Sequence, residues 1–360
     1  MKWNMKVMNP KNSDRRNLRT AVFVAALLVM ACVAAAPAPL PAQQEQSGEV
    51  AATLAAGRVI FCVTKTGIVV AVAQESVEKG SREPAVVAVS SRRIGVLLGA
   101  VEWNTTAKGA TPVRLDAELP TVAGNATRRS GNKNINEPSE IEEIGIGMLE
   151  TLRPLVDQIH HKLDIAPDES LVELLLADYV EDYGPEIWRL QYRVRQESLG
   201  NDYWSTRILR PAYTQLYPPE KGQPRTFVEV QYPEKLSQPR LLDRLGRHDP
   251  AMEAPRSASP ELTKAIGLVT GGSSDKADAA PVINFLRAVT PIVSEPGGGP
   301  SAASSPAQGA RKDDRIVMAL LDATRGFQWV VPPEEKLPAP TETKPEEPGA
   351  PSLRKYNPRN

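Results

Sequence analysis

The chain has 360 residues, with 43 lysines and arginines balanced by 43 aspartates and glutamates. Zero formal charge and no long run of one sign give no footprint for nucleic acid or an anionic surface as partner. Only 2 cysteines, one of them in the N-terminal apolar segment, exclude four-cysteine zinc and disulfide frameworks, and the 33 prolines predict much loop or tail around one large domain.

Residues 1–42 read as a targeting segment. Lys2, Lys6, Lys11, Arg15, Arg16 and Arg19 form a basic region ahead of an apolar run over 21–36. Small residues and prolines follow, with cleavage expected after Ala38 or Ala42. The run is shorter than the roughly 20 residues that span a bilayer. A cleaved signal peptide and an exported protein are therefore expected; the alternative is an anchor retained through 21–36. Cys32 makes a poor lipoprotein box, because Met30 is bulky where a small residue is usual.

Residues 43–56 form a polar, alanine-rich lead-in. Runs 59–64 and 68–73 are β-branched and flank Lys65-Thr66-Gly67, a tight-turn signal. Runs 85–89 and 94–98 repeat the pattern, so two successive hairpins are predicted, with a sheet covered on both faces. Segment 104–137 is polar and lacks a steady period, which predicts an inserted loop; its Asn104 and Asn125 triplets match glycosylation acceptors.

Ser139 and Glu142 form a capping box. From there Ile141, Ile144, Met148, Leu152, Leu155, Ile159 and Leu163 recur at helical spacing, and Pro154 predicts a kink or break. A near-continuous apolar strand is expected over 171–177, then a turn over 178–185. A half-buried strand should follow over 188–194, where Trp188, Leu190, Tyr192 and Val194 alternate with polar residues. The stretch with Tyr203, Trp204, Tyr213 and Tyr217 is polar and proline-bearing, a contact surface or a segment packed on the sheet. A strand is predicted over 226–232 and a loop with one helical turn over 233–258. Helices follow from Ser259 or Pro260 to 268 and over 279–293, the latter interrupted by Pro291. A Gly/Ser/Pro/Ala linker (294–312), a closing hairpin (316–321 and 327–331) and a disordered Pro/Glu/Lys-rich tail (332–360) complete the chain.

This order of strand pairs and helices resembles the proteasome-subunit type of N-terminal-nucleophile hydrolases over about 57–331. Local matches are Thr-Gly-Ile-Val-Val-Ala-Val-Ala-Gln-Glu-Ser (66–76), Leu-Leu-Leu-Ala-Asp-Tyr (174–179) and Ser-Arg-Arg-Ile-Gly-Val (91–96). The resemblance implies an α+β fold, a four-layer αββα sandwich of two antiparallel sheets, and association with further copies. It also implies a threonine, serine or cysteine at the head of the first strand, with its own α-amine as base. This chain has Gly57-Arg58 there. Glu75 stands near the family's acid, and where its lysine belongs the chain reads Arg82-Glu83-Pro84-Ala85. A guanidinium cannot deprotonate in that role.

Weak candidates for a nucleophile exposed by processing are Thr53, Cys62 and Thr64, with Glu75 as acid; Cys62 also reads as a small buried hydrophobe. His160 and His161 are adjacent and point to different helix faces, while His248 sits in a loop. Asp178, Glu181, Asp182 and Glu186 read as a solvated hairpin tip, with a weak calcium site as the alternative. No cofactor or metal is expected. The expected function is binding or assembly by an exported, non-catalytic proteasome-subunit-like protein, with a homo-oligomer or a peptide or protein as partner. The alternative is an amidohydrolase activated by N-terminal trimming, and a third reading is an unrelated exported α/β domain.

Overall fold

The computed structural model describes residues 50–74, 82–105, 111–129, 139–166, 168–180, 183–219, 226–234, 240–241, 243, 260–294 and 316–333. All lie in one compact unit, Gly48–Asn360. The targeting segment, Glu75, Glu181, Asp182, His248, most of the 294–312 linker and nearly all of the tail lie outside the described residues.

The β-branched runs form the expected hairpins. β1 (Val50–Ala55) precedes β2 (Gly57–Thr64) and β3 (Gly67–Gln74), and β4 (Ala85–Ser90) turns into the long β5 (Arg93–Thr105). After β6 (Val113–Arg114) come α1 (Leu115–Arg129) and α2 (Glu140–Val156). Then follow β7 (Val172–Val180), β8 (Gly184–Tyr192), β9 (Val194–Gly200), β10 (Tyr203–Ile208), β11 (Ala212–Tyr217) and β12 (Phe227–Tyr232). The described chain ends with α3 (Pro260–Thr270), α4 (Ala279–Ser294), β13 (Ile316–Asp322) and β14 (Gly326–Val331).

Two large antiparallel sheets result. The larger runs β1-β5-β7-β8-β11, with β4 and β6 also paired to β5; the smaller runs β12-β2-β3-β13-β14. Side-chain alternation along each strand distributes the core into three layers. Val59, Phe61, Val63, Ile68, Val70 and Val72 of the smaller sheet meet Ile94, Val96, Leu98, Leu175, Ala177 and Ile187 of the larger. The opposite face of the larger sheet packs on α1 and α2, with Leu119, Met148 and Leu152 buried there. The opposite face of the smaller sheet packs on α3 and α4 through Val269, Val282, Phe285 and Val289. The protein is thus an α+β sandwich. Slipping β2 by one residue would exchange its two buried sets, each side chain worth about 1.5–3 kcal/mol, so the register is strongly specified.

Several expectations change. The 104–137 segment holds a 15-residue helix, α1, whose Leu115, Leu119, Ala123 and Ala126 are buried. α2 has the predicted capping box but stops at Val156, two residues after Pro154, and Ile159 and Leu163 pack on the core as non-helical chain. α4 runs through position 291 without interruption. The lead-in ends as a paired strand, Val50 lying opposite Thr105. Asp178 is no solvated tip: it is 7% exposed and ion-paired with Arg93, whose guanidinium also bonds Glu140 at 2.6 Å. That network ties the start of α2 to β5 and β7. The stretch 194–217 is three strands, and β9 and β10 form a separate ribbon.

The closing hairpin turns on Asp322. Its carboxylate accepts from the Arg325 guanidinium and amide at 2.9 Å each and from the Thr324 amide and hydroxyl at 3.0 and 2.7 Å. These bonds, Arg325 first, hold its pKa well below the ordinary carboxylate range. A carboxylate depressed in the folded state stabilises above its unfolded pKa of about 4 and loses that contribution as pH falls further. Asp322→Asn should cost about 1–2 kcal/mol at neutral pH and flatten the acid limb of a urea-denaturation series between about pH 5 and 2.

Candidate functional site

The place where the resembled family carries its nucleophile is the head of β2. Gly57 there pairs with Gln74 of β3 on one side and Tyr232 of β12 on the other. Its amide continues into Ala56 and then β1, which belongs to the other sheet, with Ala55 opposite Gly99. The chain therefore crosses between the sheets at Ala56. Arg82 clamps the crossing from its backbone: Ala56 N donates to Arg82 O at 3.1 Å, and Arg82 N donates to Leu54 O at 2.8 Å. Ala55 and Ala56 are buried.

Gly57 is held by space as well as by connection. A Cβ built on its backbone, at φ +157°, would overlap the Ala73 carbonyl oxygen and lie 3.1 Å from Pro84 Cδ. A threonine, serine or cysteine side chain has no room in this backbone.

The neighbouring inter-sheet space is filled by groups from distant segments. Tyr232 points between the sheets and its hydroxyl donates to Ser170 O at 2.9 Å. Gly99, at φ +82°, makes room for the ring, since a Cβ there would sit 3.1 Å from Tyr232 Cζ. Burial, then the nearby carboxylates of Glu169 and Glu173, push the Tyr232 hydroxyl far above its ordinary pKa, so it stays protonated and donates. Beside it, Glu173 is 2% exposed. Its carboxylate accepts from Ser170 Oγ at 2.5 Å, Arg189 Nε at 2.8 Å, Arg189 Nη2 at 2.7 Å and Gln191 Nε2 at 3.2 Å. Two carboxylate oxygens facing an arginine fork satisfy the charge that burial would otherwise penalise.

A second buried pair lies on the helix-facing side of β2. Arg58 is 0% exposed and ion-paired with Glu229 of β12. The other Glu229 oxygen accepts from Leu241 N at 2.8 Å. Burial raises the Glu229 pKa, and Arg58 and the Leu241 amide oppose that rise.

The sequence candidates are not brought together. Thr53 is half-buried in β1, opposite Glu102, which is ion-paired with Arg82. Cys62 lies well inside β2, faces α3 and α4, and is 0% exposed. Burial, partly offset by a bond with Ser274, pushes its thiol up to about 12, the signature of an inert packing cysteine. Thr64 ends β2 at the opposite end from Gly57 and donates to Gly67 O at 2.9 Å. His160 stacks on Tyr203 with ring centroids 4.7 Å apart.

Tyr232, Ser170 and Arg189 were not singled out by sequence. One signal was present: Glu173 is the lone charge in the apolar run 171–177, and a buried carboxylate requires a cation. Among the described residues, no group of three or more His, Cys, Asp or Glu side chains could hold a metal ion. None of the described helices is long and apolar enough to cross a membrane. Searches against models of known protein families and against curated proteins find no match.

Proposed function

We propose that the domain is a diverged, catalytically silent relative of the proteasome-subunit type of N-terminal-nucleophile hydrolases, exported and acting by binding or assembly. The observation that carries this reading is Gly57: the head of β2 is an internal peptide unit with its side-chain space filled by Ala73 and Pro84. Stacked antiparallel sheets with helix pairs outside them support the kinship, as does the chain order of hairpin, hairpin, helices, strands, helices and closing hairpin. Ring assembly in that family makes self-association the expected mode of action.

The test is the intact mass and N-terminal sequence of the protein recovered from the exported fraction, with electrophilic labelling of the same sample. A start upstream of Val50, no adduct and a particle several times the chain mass of 39.1 kDa are expected. A start at Thr53, Cys62 or Thr64 with an adduct on that residue would overturn the silent reading, and a monomer would overturn assembly.

One geometric fact favours the runner-up, a processed amidohydrolase. Trimming to Thr53 would remove only the first half of β1 and leave the new amine opposite Glu102, beside Arg82. Trimming to Cys62 would instead delete the β2 residues that pair with β3 and β12.

A further inference from the structure

The ribbon β9–β10 carries a feature that neither sheet needs. Val194, Gln196, Trp204, Thr206 and Ile208 alternate along it, and Val194 and Ile208 pack on the core. This face is anchored on 160–163: Trp204 N donates to His160 O at 2.8 Å and Leu163 N to Gln196 Oε1 at 2.9 Å. Asn201 and Asp202, at φ +52° and +59°, make the tight turn whose twist matches paired strands. The ribbon is therefore tethered along this face, and Arg195, Glu197 and Arg207 on its other face are exposed.

That outward face is basic at its root. Arg195 lies directly opposite Arg207. The ladder continues one step further, with Leu209 N donating to Arg193 O at 2.8 Å, which puts Arg193 on the same face as Arg195. Arg195 and Arg207 are exposed. Arg193 Nε is sealed from solvent and has no hydrogen-bond partner. None of the three side chains has an ion pair among the described residues, whereas Arg58, Arg82, Arg93, Arg114, Arg189 and Arg325 each face a carboxylate. Glu197 shares the face, one step towards the tip and opposite Ser205, and bonds none of them. Like charges directly opposite on a ladder destabilise it, and a buried donor left without a partner costs more.

We propose that Arg193, Arg195 and Arg207 form a binding site for a phosphate-type tetrahedral oxyanion. Cross-strand and same-strand neighbours place the three stems within about 5–7 Å of one another, a spacing that lets their forks converge on one such group. The bound oxyanion removes the Arg195–Arg207 repulsion at the exposed face, and Arg193 adds its charge at the root of that face. Free phosphate and the phosphodiester of a lipid headgroup share this chemistry.

The experiment is a titration of the full chain with inorganic phosphate at constant ionic strength, followed by the arginine Nε–H signals in a nitrogen-15 spectrum. A saturable shift of the Arg195 and Arg207 Nε–H signals is expected, with Kd of about 1 mM or tighter. Arg195→Gln/Arg207→Gln should weaken binding at least about tenfold without lowering Tm, because both side chains are exposed and their mutual repulsion is lost. Arg207→Gln alone should give an intermediate loss and serves if the double variant fails to fold. Vesicles with and without phosphatidylglycerol separate the sources: recruitment that the double variant loses and phosphate competes assigns the headgroup, and phosphate binding without recruitment assigns the free ion. No saturable shift with phosphate and no recruitment, or equal binding by the double variant, overturns the site.

Discussion

Gly57→Thr, which installs the residue type the resembled family uses at the head of its first strand, should create no nucleophile and should destabilise the domain by about 2–4 kcal/mol. The new Cβ would be driven into the Ala73 carbonyl oxygen and against Pro84. Both are fixed: Ala73 pairs with Arg58 and with Ile316 in the middle of the smaller sheet, and Pro84 leads into β4. Relief would require β2 and β3 to separate at their ends, which also disturbs the crossing at Ala56 that Arg82 clamps. Gly57→Ala should cost nearly as much, because the first carbon makes the clash. Gly124→Ala in α1 is the control, since a Cβ there meets nothing within 4 Å; it should be neutral or stabilise by up to about 1 kcal/mol. Thermal unfolding reads all three, with Tm for Gly57→Thr lowered by about 5–15 °C. A Gly57→Thr protein that melts with the parent would show that the head of β2 has room for a nucleophile, and the silent reading would lose its main support.

What the sequence discloses here is what local periodicity can carry. The hairpins β2–β3 and β4–β5 are legible because β-branched runs flank tight turns, and α2 because Ser139 and Glu142 mark its start. α1 is obscured because its buried stripe uses Ala123 and Ala126, weak as hydrophobic signals, and Pro120 and Gly124 interrupt it. β9 to β11 are obscured because their outward positions are charged or polar and Pro211 and Pro218 punctuate them. The absence of a nucleophile at Gly57 is a sequence fact; the reason no side chain fits there is a tertiary one, since Ala73 and Pro84 arrive from other strands. The Tyr232–Ser170–Glu173–Arg189 cluster is likewise assembled by sheet stacking, and only the solitary charge of Glu173 betrays it in sequence.

Glu173→Gln should destabilise the domain by about 3 kcal/mol, and Glu173→Leu by about 3–5 kcal/mol, read by urea denaturation at neutral pH. The carboxylate is 2% exposed, and its removal leaves Arg189, 15% exposed at its side chain, with the exposed Glu234 at 3.5 Å as its remaining carboxylate neighbour among the described residues. Ser170, 1% exposed, loses its acceptor in the same step. Arg189→Met alone should be comparably damaging, because it strands the carboxylate instead. The informative variant is Glu173→Leu/Arg189→Met. Two apolar side chains suit an inter-sheet layer already built from Leu175, Ala177 and Ile187, so the double change should recover most of the loss. Recovery with unchanged particle size would make the cluster a structural device between the sheets. Recovery with loss of assembly would place the proposed binding role there, beside the head of β2. A double variant as unstable as either single change would mean that Ser170 and Gln191 depend on the charge itself, as members of one cooperative network.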